Sequence, residues 1–211
     1  MLRDNTRQLV ISLLIITSFI FLAACQSGDD ILPAQLVDSS VKRVGFDVDD
    51  TLLFSSPAFQ EGFRSEHEPF SEEFWSLVNS IDTQVSCIKP KVYQIVKKYQ
   101  GRGAEIFAIT ARQPDNGDYL RDYLEKVFAI PAENTFFAPD GKTEKIKELD
   151  LDIYFGDSDS DIKDAQAAGI TAVRIKRNDQ SSYEEKYNPG KYDEIVIEET
   201  SDHDCQFKPY E

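Results

Sequence analysis

Three short apolar runs in this sequence each break straight into residues that carry chemistry. Residues 42–46 run into Asp47-Val48-Asp49-Asp50-Thr51, residues 104–109 into Thr110-Ala111-Arg112, and residues 153–155 into Gly156-Asp157-Ser158-Asp159-Ser160-Asp161. Runs this short, apolar at successive positions and separated by amphipathic segments, describe strands of a parallel sheet covered on both faces. In such sheets ligands bind outside the carboxyl ends of the strands. The spacing predicts helices over residues 90–100, 118–128, 143–149 and 162–168, and further strands over residues 135–138, 172–175 and 194–197. Residues 55–87 read as an irregular insertion with one acidic helix near residues 71–80.

Carboxylates at two strand ends facing one crevice repel unless a cation lies between them. An all-oxygen set of this kind suits Mg²⁺, which takes one or two carboxylates and keeps room for water and substrate. The chain carries 38 acidic and 23 basic residues, a net charge of −15. That balance argues against a nucleic-acid polymer as partner, since a general binder needs a basic face. It leaves room for small anionic substrates held by a metal and a few cations.

The N-terminus reads as a targeting segment rather than as fold. Arg3 and Arg7 precede an apolar run over residues 9–24, followed by Cys25. A basic start, a short apolar stretch and small residues before a cut describe a secretory signal over residues 1–24. Leu22-Ala23-Ala24-Cys25 resembles the lipobox of bacterial lipoproteins. That resemblance implies a lipidated Cys25, a flexible tether over residues 25–40 and attachment to the membrane through lipid alone. Gln26 after the lipid site implies an outer-membrane position facing the periplasm in a Gram-negative cell. An ordinary signal peptide or an uncleaved anchor is the alternative. Cys87 and Cys205 then remain in an oxidising compartment, where they either pair or stay as one buried and one free thiol.

Asp47-Val48-Asp49-Asp50-Thr51, the strand-end Thr110, Lys142 and Gly156-Asp157-x-x-x-Asp161 resemble the four motifs of the haloacid dehalogenase superfamily, in order. The resemblance covers residues 41–197 and implies an α/β, Rossmann-like parallel sheet with helices on both faces. It also implies a small cap-like insertion after the first strand. The domain is expected over residues 41–200, with its substrate-side insertion over 55–87 and a tail over 201–211. Residues 46–57, ending Phe54-Ser55-Ser56-Pro57, and the string Gly156 to Ile162 are similar to one branch, the class B acid phosphatases.

The resemblance implies roles. Asp47 is the nucleophile toward phosphorus, and Asp49 protonates the leaving oxygen and then activates water. Thr110 and Lys142 bind the phosphoryl group. Asp47, Asp49 through its backbone carbonyl, and Asp157 hold Mg²⁺, with Asp161 supporting them. Asp50 and Asp159 fit loop and helix-cap roles better than metal ligation. Phe59, Trp75 and Tyr183 match positions of an aromatic substrate pocket, although core packing is the better reading for Trp75, while Tyr183, in a polar loop, fits the pocket.

Some points stay open. Lys145 competes with Lys142, whose 14-residue distance to Gly156 favours it. Arg112 touches substrate or forms a surface salt bridge, and Ala111 stands where the class B pattern has glycine. Relatives carry an N-terminal helical arm that assembles tetramers, whereas only the tether precedes the first strand here, so homo-oligomerisation is in doubt.

Other motifs fail. Gly141-Lys142-Thr143 lacks the earlier P-loop glycine, where Phe136 sits, and Ile162 and Ala168 break a calcium loop begun at Asp157. Tyr93 stands where a Cys87-based phosphatase needs arginine, and neither His67 nor His203 follows an arginine. The expected activity is a Mg²⁺-dependent phosphomonoesterase acting on nucleotides or aryl phosphates. A non-catalytic lipoprotein on this fold, and a class C type nucleotidase lipoprotein, are the alternatives.

Overall fold

The computed structural model describes residues 32–183 and 186–207, apart from the side chain of Glu199. The expected signal, Cys25 and most of the tether lie outside the described residues. Among the described residues, no helix is long and apolar enough to cross a membrane.

Six strands form one parallel sheet. They are β1 (Arg43–Phe46), β4 (Glu105–Thr110), β5 (Thr135–Phe137), β6 (Ile153–Gly156), β7 (Thr171–Ile175) and β8 (Ile195–Ile197), in the order β5-β4-β1-β6-β7-β8. β1 is central, in register with β4 (Phe46 opposite Ala108) and β6 (Phe46 opposite Phe155). A short antiparallel pair, β2 (Leu53–Phe54) and β3 (Cys87–Ile88), closes the insertion that follows β1.

Side-chain alternation explains why these strands read as continuously apolar. Ile106 and Ala108 of β4, with Ile153 and Phe155 of β6, face a core that includes Val92, Ile95 and Val96 of α3 (Pro90–Gln100). Leu120 and Leu124 of α4 (Gly117–Phe128) complete that layer. Phe107, Ile109 and Tyr154 face the opposite layer, with Ile146 of α5 (Thr143–Glu148) and Ile162 of α6 (Asp159–Ala167). Each strand thus presents apolar residues to both layers.

The insertion is more regular than its sequence suggests. It contains α1 (Ser56–Arg64) and α2 (Glu72–Val85), packed around Ala58, Phe74, Trp75 and Val78. α1 buries the small residues Ser56, Ala58 and Gly62, while its large apolar residues, Phe59 and Phe63, stay partly or largely exposed. A Cβ on Gly62 would lie 2.7 Å from the Phe74 ring, so glycine is what lets the two helices approach. α2 begins where expected, with Ser71 capping the Phe74 N–H, but runs five residues beyond Ser80. Its second half carries buried Asn79 and Asp82, which break the apolar period.

α6 also starts earlier than the expected Ile162. Ser158 accepts from the Asp161 N–H while Asp161 accepts from the Ser158 N–H, a capping box. The aspartates of the calcium-loop lookalike therefore open a helix.

Cys87 and Cys205 form a disulfide, so the pairing alternative holds. It ties the chain's end to β3. His203 stacks on Phe54 at 4.1 Å between ring centres, and the Asp204 N–H donates to Ile88 O at 2.9 Å.

Candidate active site

The chain runs from β1 to β4 on one side of the sheet and later to β6 on the other, which makes the ends of these three strands a switch point. The loops after them meet over one cavity of about 580 Å³. Asp47 follows β1 directly and is buried, and its N–H donates to Phe155 O at 2.8 Å. Lys142, at the start of α5, donates from Nζ to Asp47 Oδ1 and, at 2.6 Å, to Asp161 Oδ1. Its own backbone is anchored to α6 through Asp164. Lys145 instead pairs with Glu148 at 2.6 Å on the exposed side of α5. The lysine that reaches the carboxylates is Lys142.

Carboxylate oxygens of Asp47, Asp157 and Asp161 lie within 4.8 Å of one another, all buried. Burial and the neighbouring carboxylates push the Asp47 carboxyl well above its ordinary range, against the pull of Lys142. Burial likewise raises Asp157, against its ion pair with Arg177. Like charges held this closely are what a hard divalent cation relieves, so the donor set fits Mg²⁺. The second oxygen of Asp161 accepts from the N–H and hydroxyl of Ser158, at 3.0 and 2.7 Å. That leaves Asp161 in a supporting position. Glycine at 156 is required here, because a Cβ would sit 2.3 Å from the Asp161 Cβ.

Asp49 is the most exposed of the strand-end carboxylates named, with a side chain 27% accessible. Arg112 reaches it with Nη2 at 2.6 Å and Nε at 3.0 Å, and the Ser55 hydroxyl donates to it at 2.5 Å. Burial would raise its carboxyl, but Arg112 and the Ser55 hydroxyl more than offset this and hold it below the ordinary value. Thr110 is buried at the end of β4, its hydroxyl 3.5 Å from Asp49. Arg112 is no surface residue: it is 1% exposed and pairs with both Asp49 and Asp82. Asp159, as expected, does not join the carboxylate group. It pairs with Arg174 at 3.1 Å and with Asn188. Asp50 accepts the Ser181 hydroxyl, and burial together with Asp157 pushes its carboxyl up to about 7.

Phe59, Trp75 and Tyr183 all line the cavity, on the side of the insertion and the loop after β7. Trp75 is also part of the insertion's small core, so its two readings coincide. The sequence reading missed Phe63 and Phe70, which extend this wall and lie half-exposed or more. The four-residue step from Phe59 to Phe63 along a helix was the available signal. It also missed Arg177, two residues past the end of β7, the same strand-end rule that found the aspartates. Lys89, buried after β3, was missed as well. Its Nζ donates to Asp50 O and Lys176 O, both at 2.7 Å.

A carboxylate nucleophile candidate, an adjacent acid, a buried lysine and an acidic metal set at the switch point of a parallel sheet define a phosphoryl-transfer hydrolase of the haloacid dehalogenase type. The sequence profile of HAD superfamily, subfamily IIIB (acid phosphatase), matches residues 30–186, and the chain belongs to this family. It is 34% identical to the class B acid phosphatase of Marinomonas sp. (strain MWYL1) over 169 residues, 74% of this chain and 71% of the relative. It is 36% identical to the class B acid phosphatase of Citrobacter rodentium over 168 residues, 73% of this chain and 70% of the relative. The solved structure of CbbY from Rhodobacter sphaeroides in complex with phosphate covers the same fold. Its TM-score is 0.50 at 15% identity, over 69% of this chain and 90% of that one. The chain is thus a phosphoric monoester hydrolase, and the non-catalytic reading falls away.

Proposed function

We propose that the chain is a Mg²⁺-dependent phosphomonoesterase that works through an aspartyl phosphate on Asp47, with nucleotides and aryl phosphates as substrates. The observation that carries this is geometric: Asp47 and Asp49, two residues apart on the loop after β1, line one cavity with Lys142, Asp157 and Asp161. Asp47 lies buried on Lys142, while Asp49, two residues on, lies nearer solvent beside Arg112. On this reading Asp47 attacks phosphorus, and Asp49 protonates the leaving oxygen and then takes a proton from the attacking water. Lys142 contributes positive charge where the phosphoryl oxygens gather, and Thr110 is within reach to donate its hydroxyl. Asp47, the Asp49 carbonyl and Asp157 would hold the metal, with Asp161 keeping Lys142 oriented. A Mg²⁺ ion held there would supply the positive charge that lets a phosphate dianion approach these carboxylates.

The wall of Phe59, Trp75 and Tyr183 suits a flat ring on the ester's leaving group. The lipobox-like string supports lipid attachment at Cys25 and an extracytoplasmic, membrane-tethered enzyme. In a Gram-negative cell this is the periplasmic face of the outer membrane. The class B relatives favour this reading over a class C type nucleotidase.

The test is phosphate release from a nucleoside monophosphate and from an aryl phosphate, by the purified chain, with Mg²⁺ or with EDTA. Metal-dependent release that Asp47→Asn abolishes in a folded protein is the expected result. Retained turnover in that variant refutes the mechanism.

A further inference from the structure

The Asp49–Arg112 pair continues into the insertion. One edge of the Arg112 guanidinium, Nε and Nη2, addresses Asp49; Nη1 donates to Asp82 Oδ2 and, at 3.1 Å, to Asn79 Oδ1. Nη2 also reaches Asp82 Oδ1 at 3.3 Å. Asp82 is fully buried and is itself fixed by the Ser86 hydroxyl one turn on. Asn79 donates its amide to Gln113 O at 3.0 Å and Asp115 O at 2.8 Å, pinning the loop after β4. Asn79 and Asp82 on one face of α2 and Ser86, which caps its C-terminus, thus form a polar cluster around the arginine. A buried carboxylate, amide and hydroxyl converging on one arginine is a costly arrangement for a helix that could have packed apolar residues there.

We propose that Asp82 is a positioning residue for the hydrolysis described above: it sets the pose of Arg112 and, through it, of Asp49. The proposal rests on the reading of Asp49 as the group that protonates the leaving oxygen. It gives the insertion a second duty besides lining the cavity. A guanidinium anchored at one edge by Asp82 can offer its other edge to Asp49 in only one orientation. Without that anchor Arg112 follows Asp49, and the acid loses its fixed aim at the leaving oxygen.

This account makes a prediction that general damage does not. Proton donation matters for an alkoxide leaving group and little for nitrophenolate, which departs as the anion. The measurement is kcat/KM, which reports the steps up to release of the leaving group, for p-nitrophenyl phosphate and for a nucleoside 5′-monophosphate. Full-length wild-type chain and Asp82→Asn are compared at saturating Mg²⁺. Asp82→Asn is expected to lose at least about tenfold more on the nucleotide than on the aryl ester (~1.4 kcal/mol of selective transition-state loss). Equal losses on both esters, or none, overturn the proposal. If Asp82→Asn fails to fold, Ser86→Ala, which frees the Asp82 carboxylate while leaving its charge, carries the same test with a smaller bias in the same direction. A wild-type chain that hydrolyses neither ester would instead sink the underlying phosphatase mechanism, and the positioning role with it.

Discussion

Removing the Cys87–Cys205 bridge should destabilise the domain far more than its position near the chain end suggests. The bridge spans 118 residues of sequence and so closes everything from β3 to the tail into one loop. Chain-entropy scaling gives roughly 4–5 kcal/mol for a loop of that length, near the top of the range for disulfides. The informative variant is Cys205→Ser. Cys205 is exposed and Cys87 is buried, so changing Cys205 removes the cross-link without placing a hydroxyl in the core. A domain of 150–250 residues shifts by roughly 2–4 °C per kcal/mol, so the midpoint should fall by about 8–20 °C. Thermal and urea unfolding followed by circular dichroism, with and without reductant, reads this directly. Reductant should move the wild type to the variant's midpoint and leave the variant unchanged. A loss under about 1 kcal/mol would refute the reasoning, and would mean that the ring contact of His203 and the Asp204 hydrogen bond already confine the tail.

Gly156→Ala should drive a methyl into Asp161 and displace the carboxylate that holds Lys142; a loss of turnover of at least about 100-fold in a folded protein is expected from steady-state kinetics. Lys89 has its ammonium pushed down to about 8, chiefly by burial. A lysine whose folded value lies below its unfolded value is penalised at low pH and relieved as pH rises. The stability advantage of wild type over Lys89→Met should therefore widen between pH 8 and 10.5, by up to about 3 kcal/mol; urea titrations at both ends of that window showing no widening would contradict it.

The sheet was legible because its strands are apolar on both faces and break at once into charge. Phe46, Thr110 and Gly156 mark those breaks, and the residues beside them are the ones the fold brings together. Lys142 was found by its distance to Gly156, a distance that a helix and a strand of fixed length enforce. What stayed hidden depends on partners far away in sequence. α1 buries small residues against Phe74 and leaves Phe59 and Phe63 to the cavity, so its apolar pair does not mark a core face. Asp82 and Asn79 look like polar interruptions until Arg112, 30 and 33 residues on, is placed beside them. Arg177 gains meaning only when β7 sets it against Asp157. The disulfide was undecidable from spacing, since pairing requires β3 and the tail to meet.

Lys142 and Arg177 bear on more than phosphate. Each already neutralises an acid of the presumed metal set, Lys142 on Asp47 and Arg177 on Asp157. The fold therefore brings its own counter-ions to the negative charge that the strand ends gather. A divalent ion at Asp47 and Asp157 would share these carboxylates with two cationic side chains seated on them, so its affinity would depend on how readily Lys142 and Arg177 yield.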